Sequence, residues 1–233
     1  MRQVVLDTET TGIGHDYGHR IIEIGCVELV DRKLTGKHFH TYLNPLRKVD
    51  DGAFRVHGIS SEFLQDKPLF KDVFQDLLAF IEGAEVIIHN AVFDVGFLNA
   101  ELKHIKWSKS FEDYCTVLDT LVFAREKHPG QRNNLDALCK RYNVDHSNRQ
   151  LHGALLDAEL LAFVYLAMTG GQTNLFMSED LLMEGRPTNA QSITASLNSN
   201  SPVIVADADE LAQHAEFVRF LVKESGVNRW EED

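Results

Sequence analysis

The chain has 233 residues, 44% of them hydrophobic, which suits one domain of ordinary size with an appendage, or two small domains. Its net charge of −12 argues against gripping nucleic acid through a broad basic surface, yet leaves room for a local site that meets phosphate through metal ions. Its apolar runs are too short to span a bilayer, and the start Met1-Arg2-Gln3-Val4 lacks the long apolar stretch of a secretory signal.

The first elements, Gln3–Leu6, Arg20–Leu29 and Lys37–Leu43, read as three strands joined by short turns marked by glycine and charge. Short connections imply antiparallel neighbours, because parallel strands need long crossovers. The first strand runs straight into Asp7-Thr8-Glu9-Thr10-Thr11-Gly12. Residues i and i+2 of a strand share a face, so Asp7 and Glu9 stand side by side and repel each other unless something positive lies between them. Taken alone, the pair also reads as a charged strand end fading into a solvated turn.

Leu69, Val73, Leu77, Leu78 and Ile81 recur at helical spacing, and Gly83 stops that helix. Val86–Ile88 predicts a compact strand, Phe93, Phe97, Leu98 and Leu102 a second helix, and Tyr114–Leu118 a last strand. Asn134–Tyr142 and Gly153–Met168 read as helices, the second apolar around most of its surface and so largely buried. Three antiparallel strands followed by strands alternating with helices indicate a mixed α/β sheet. Cys26, Cys115 and Cys139 are widely spaced in apolar sequence, which suits buried thiols in a reducing cytoplasm better than disulfides or a zinc site.

Three further residues join the opening pair. Asp94 falls in HNAVFDVGFL, just past a strand and at the first turn of a helix. His152 and Asp157 fall in LHGALLDAEL, at the start of the long apolar helix. A carboxylate among Leu155, Leu156, Leu160 and Leu161 is costly to bury unless it is paired or metal-bound. His152 and Asp157 are about 140° apart around a helix, so a shared site requires His152 before the regular helix or in its first turn. Each has an ordinary reading as well. Asp94 suits the positive end of a helix dipole, His152 a bond to backbone, and Asp157 a gap open to solvent.

As an ordered set, Asp7-x-Glu9, Asp94 and His152-x4-Asp157 resemble the DEDDh exonucleases, and the words DTETTG, HNAVFD and HGALLDA match as well. The similarity runs from about Gln3 to Thr169. GHRIIEIGCVEL, FRVHGISSEFL, NNLDALCKRY and LAMTGGQT are nearest to the proofreading epsilon branch of that family, which serves bacterial DNA polymerase III. The resemblance implies an RNase H-like mixed five-stranded sheet flanked by helices, followed by a flexible C-terminal tail. It implies 3′→5′ DNA exonuclease activity with two divalent cations, Mg²⁺ or Mn²⁺, held by Asp7, Glu9, Asp94 and Asp157. Asp7 would bridge the ions, Glu9 and Asp157 would serve the ion that activates water, Asp94 would help hold the other, and His152 would be the general base. Hard cations prefer carboxylate oxygen, and they supply the positive potential that the acidic chain lacks. For the DNA 3′ end, the family places Thr8, Thr10, Val56 and His57 against the terminal nucleotide, and Phe93 would add an aromatic surface for stacking. Val56 and Phe93 also read as plain core residues. Gly52 stands where the family leads one to expect Glu, which puts a polar contact there in doubt. His38 and His40 read as structural.

After residue 171 the composition changes. Residues 172–233 hold 11 acidic and 4 basic residues, a net of −7, leaving −5 for residues 1–171. Ten of the 14 residues Thr188–Ser201 are Ser, Thr, Asn or Gln and none is charged, as in a flexible linker. The expected organisation is an exonuclease domain over 1–171, a linker over 172–201 and a C-terminal segment over 202–233, where Leu211, Ala215, Val218, Leu221 and Val222 line one helix face. Gln172-Thr173-Asn174-Leu175-Phe176 resembles the peptide by which replication proteins dock on a sliding clamp, with Gln172, Leu175 and Phe176 as its anchors. By the same resemblance the last segment meets the polymerase III alpha subunit; a small accessory subunit is a further candidate partner, which the sequence itself does not reveal. An RNA-trimming relative fits residues 172–233 poorly, and a non-catalytic scaffold fits the complete acidic set poorly.

Overall fold

In a computed structural model, which describes residues 1–147, 151–170 and 208–225, Val4-Val5-Leu6 forms the centre of strand β1 (Arg2–Thr10) and is wholly buried. β2 (Ile21–Val30) pairs antiparallel with β1, and β3 (Lys33–Tyr42) antiparallel with β2. On the other side of β1 lie β4 (Glu85–Ile88) and then β5 (Thr116–Asp119), both joined in parallel, giving the order β3-β2-β1-β4-β5. The connections account for this mixture. Only Asp31 and Arg32 separate β2 from β3, with φ of 49° and 66°, and two positive φ values give the turn whose twist suits a hairpin. The segments leading into the parallel strands carry helices instead: α1 (Asp51–His57) and α2 (Phe70–Ile81) before β4, α3 (Ala91–His104) before β5.

The two-residue repeat of β1 supplies a separate core on each face. Val4 and Leu6 pack with Leu77 of α2 and with Phe97 and Leu98 of α3. Val5 packs with residues of the last helices of this unit, Leu138 of α5 (Leu135–Tyr142) and Leu161 and Val164 of α6 (Ala154–Thr169). Truncating such a side chain, for instance Leu161→Ala, costs about 2–5 kcal/mol.

Periodicity did not reveal α1 or α4 (Thr120–Lys127): α1 buries only His57 and α4 only Thr120 and Ala124, so neither shows the apolar stripe that marks the equally short α5. β3 starts at Lys33 rather than Lys37. Its first residues lie exposed on an edge strand, where no inward-facing alternation marks them. β5 starts at Thr116 rather than Tyr114, because a 3-10 turn over Phe111–Asp113 leads into it. β1 continues to Thr10, so the acidic pair belongs to the strand itself.

The chain divides into two units, Met1–Ser178 and Glu179–Asp233. In the second, α7 (Ala208–Ser225) is described, with Leu211, Phe217 and Phe220 each more than half exposed. The expected linker and the residues Gln172, Leu175 and Phe176 lie outside the described residues. Among the described residues no helix is long and apolar enough to cross a membrane.

Candidate active site

Beyond Leu6, β1 keeps its alternation but changes its chemistry. Asp7 and Glu9 continue the Val5 face, which α6 covers, while Thr8 continues the Val4–Leu6 face toward α3. One strand thus addresses two helices.

On the first face, Asp157 enters from the opening turn of α6, 3% exposed, and His152 lies just before the helix, as the spacing required. Glu9, His152 and Asp157 bring ligand atoms within 4.8 Å of one another, and His152 Nδ1 lies 3.2 Å from Asp157 Oδ2. Three features fix this approach. Gly25 of β2, paired with Asp7, lets the start of α6 pass so close that a Cβ there would sit 2.2 Å from the Leu155 nitrogen. Gly153 at the N-cap offers no side chain, and Glu23 of β2 accepts the Ala154 N–H at 3.1 Å instead. A carboxylate at that helix end is favoured by the dipole. The His152 N–H donates to the Val56 carbonyl at 3.1 Å, tying the histidine to α1. Glu23 is buried and lies 2.7 Å from His40 Nε2, which gives His40 the structural role expected.

On the second face, Asp94 sits in the first turn of α3, 3% exposed, and accepts the Thr8 hydroxyl at 2.6 Å. Burial pushes its pKa up to about 7, while the Thr8 hydroxyl and the backbone N–H groups of Asp94 and Thr8 pull the other way. The start of α3 is held by Asp119 at the end of β5. Its carboxylate accepts the N–H of Asn90 (3.2 Å) and Ala91 (3.0 Å), and also Leu121 (2.8 Å) in α4. Asp119 thereby caps two helices at once.

Asp7, Glu9, Asp94, His152 and Asp157 all line one cavity of about 260 Å³, together with Thr8 and Phe93. A second cavity, of about 550 Å³, shares Thr8, Glu9 and Phe93 with it and adds Thr10, Val56 and His57. Val56 is 45% exposed and so is no core residue, whereas Phe93 is partly buried, its ring 4.9 Å from that of Phe97. His57 Nδ1 accepts the Ile59 N–H at 3.0 Å, which puts the ring proton on Nε2, and burial holds its pKa below the ordinary value. Gly52 also borders this cavity, with open space where a side chain would point. The five catalytic candidates and the five substrate candidates therefore meet in two joined cavities.

Sequence reasoning missed Glu23 and Asp119, which hold the helices, and His89 and Asn90, which line the first cavity. Glu23 did carry a signal: a lone carboxylate in the apolar strand IIEIGC, much as Asp157 stands among leucines. Oxygen-rich donors of this kind suit a hard divalent cation, and the mutual approach of Glu9, His152 and Asp157 fits one.

Comparison with known proteins agrees with this geometry. The exonuclease family matches residues 4–165. The DNA polymerase III subunit epsilon of Haemophilus influenzae is 50% identical, over 97% of this chain and 93% of that protein. The Escherichia coli subunit of that name is 48% identical, over 98% and 97%. Among solved structures, exonuclease X in complex with 5′ overhanging duplex DNA superposes with a TM-score of 0.57 at 24% identity, covering 71% of this chain and 90% of that one. The nuclease domain of 3′hExo, a DEDDh family member bound to rAMP, gives 0.61 at 18%, covering 72% and 90%. At such identities the two structures speak to the fold alone. With its matched core, its near full-length relatives and its five converging side chains, the chain belongs to the exonuclease family, and within it to the DNA polymerase III epsilon subunits.

Proposed function

We propose that the chain is the proofreading 3′→5′ exonuclease of a replicative polymerase, removing mispaired 3′-terminal nucleotides as nucleoside 5′-monophosphates. The observation that carries this reading is the convergence of Asp7, Glu9, Asp94, His152 and Asp157 in one cavity. When bound, two divalent cations, Mg²⁺ or Mn²⁺, held by the four carboxylates would supply the positive charge that a phosphodiester needs there.

The chain's own groups account for the rest. His152, at the mouth of the acidic cluster, takes the proton of the attacking water, while Asp157 beside its Nδ1 stabilises the imidazolium that forms. The water oxygen bonds to phosphorus as the bond to the 3′ oxygen of the preceding nucleotide breaks. That oxygen leaves as a hydroxyl on the shortened strand, taking a proton from solvent. Thr8 orients Asp94, and Thr8, Thr10, Val56, His57 and Phe93 receive the terminal nucleotide, Phe93 offering a ring for stacking. A mispaired end frays more readily into such a single-strand site, which favours its removal.

The tail serves as an address. Gln172, Leu175 and Phe176 would dock on a sliding clamp, and residues 202–233 on the polymerase III alpha subunit, raising the local concentration of nuclease at the primer end. A small accessory subunit is a further candidate partner, and the three buried thiols suit the cytoplasm.

The test is digestion of an end-labelled DNA primer with a 3′ mismatch, with and without Mg²⁺, by the wild type and by Asp7→Ala. Metal-dependent trimming by the wild type alone is expected. Equal trimming by both, or none with Mn²⁺ also supplied, removes the nuclease assignment. Replacing Leu175 and Phe176 with Ala should weaken clamp binding and spare trimming, and unchanged clamp affinity refutes the docking role.

A further inference from the structure

A third cavity, of about 460 Å³, adjoins the first and shares no lining residue with the cavity of Val56 and His57. Its lining includes His89, Asn90, Arg125, Gln131, Asn133 and Asn134, and it shares His89, Asn90 and Asn134 with the carboxylate-lined cavity. The cavity of Val56 and His57 shares a different set with that central space, Thr8, Glu9 and Phe93. The three form one path with the carboxylates in the middle.

We infer that this basin seats the nucleotides preceding the scissile bond, with Arg125 and Gln131 meeting the next phosphate along the strand. The inference rests on the exonuclease reading. If the terminal nucleotide lies by Val56 and His57 and its phosphate among the carboxylates, the remaining strand must leave by the opposite end. The chemistry requires the same direction. Water is handled on the Glu9–His152–Asp157 side, and in-line displacement expels the leaving oxygen away from it. That is toward the other face of β1 and the start of α3, where Asp94 and Asn90 stand.

The electrostatics of this wall fit a phosphate. In a chain of net charge −12, residues 125–141 carry five Lys or Arg against two Asp or Glu. Two of these cations are engaged in shaping the wall. Lys127 donates to the Met168 carbonyl, and Arg141 donates to Asn133 Oδ1 (3.0 Å) and to the Arg132 carbonyl (2.8 Å). Asn133 in turn donates to the carbonyls of His128 and Gln131, each at 3.2 Å. The loop is thus set in advance of any ligand, which lowers the cost of binding. Arg125 is exposed on α4 and has no hydrogen bond or ion pair among the described residues, so its guanidinium is available to a phosphate.

The experiment compares two substrates on the full chain with Mn²⁺: the 4-nitrophenyl ester of thymidine 5′-monophosphate, which has no preceding nucleotide, and a thymidine trinucleotide. The ratio of kcat/KM for the trinucleotide to that for the ester is expected to fall about tenfold in Arg125→Ala, mainly through KM, and less in Gln131→Ala. Arg125→Lys should recover part of the ratio. The salt dependence of trinucleotide turnover should flatten by a slope of about 0.7, as for one lost phosphate contact. An unchanged ratio, or an equal fall on both substrates, overturns the inference alone. A wild-type chain that turns over neither substrate overturns the exonuclease reading and this inference with it.

Discussion

Gly25 stands across the β1–β2 pair from Asp7, and the backbone of Ala154 and Leu155 occupies the space its side chain would fill. A methyl group there would fall 2.2 Å from the Leu155 nitrogen and 2.3 Å from the Ala154 carbonyl carbon, closer than real contacts allow. Gly25→Ala must therefore lift the start of α6, and with it His152 and Asp157, away from Glu9. The expected outcome is a loss of about 1–3 kcal/mol of stability and about a 100-fold fall in kcat/KM. Thermal melts and steady-state kinetics check this, and wild-type turnover in the variant counts against the packing argument.

Thr8 is the hydroxyl partner of Asp94, and Thr8→Val keeps the shape while deleting the proton donor. A buried carboxylate deprived of a charge-assisted hydrogen bond loses about 1.5–3 kcal/mol of support for its ionised form. The variant should need a higher Mg²⁺ concentration for half-maximal rate, whereas Thr8→Ser should stay near the wild type. Identical metal titrations for all three proteins would show that the bond has no bearing on the site.

Glu28, buried on β2, accepts from Arg2 at 2.7 Å and from the Thr35 hydroxyl at 2.9 Å. The Arg2 hydrogen bond first, and then Thr35 and the nearby charges, hold its carboxyl below the usual range. A folded-state pKa below the unfolded one gives stability that is present above the unfolded value and lost as pH falls through the folded value. The Tm of the wild type should drop between about pH 5 and pH 3 more steeply than that of Glu28→Gln. Parallel curves would assign the acid sensitivity to other groups.

Cys26, Cys115 and Cys139 are buried and unbridged. Burial raises the pKa of Cys26, with Asp7 adding repulsion, and pushes that of Cys115 up to about 12. Thiolate is the reactive form. At pH 8 the folded protein should resist alkylation at all three positions and react fully once denatured, with peptide mass spectrometry as the readout.

The sequence displayed the chemistry of the site more openly than its scaffolding. Asp157 was legible because a carboxylate among leucines is costly to bury unless paired or metal-bound, whereas Asp94 and His152 each had an ordinary reading and became legible only as members of the ordered set. Glu23 presents the same contradiction in β2, but its partner is the backbone N–H of Ala154, 131 residues away, and no side-chain pattern encodes which backbone group a carboxylate will meet. Asp119 escaped for a similar reason, since its carboxylate caps α3 as well as its own helix, and only the parallel pairing of β4 with β5 brings the two helix starts together. Arg125 carried no signal in the sequence, where α4 itself went unread; the cavity beside it, which adjoins the carboxylates, is what singles it out.

The division of labour along β1 also limits how this segment can evolve. Val4, Val5 and Leu6 can exchange for other apolar residues with repacking, and each change stays local. Adding or dropping one residue before Asp7 cannot stay local. With the core residues kept in place it would turn Asp7 and Glu9 toward α3 and Thr8 toward α6, and with the acids kept in place it would instead exchange the two cores. Point substitution is open to this strand, whereas a length change of one is closed to it.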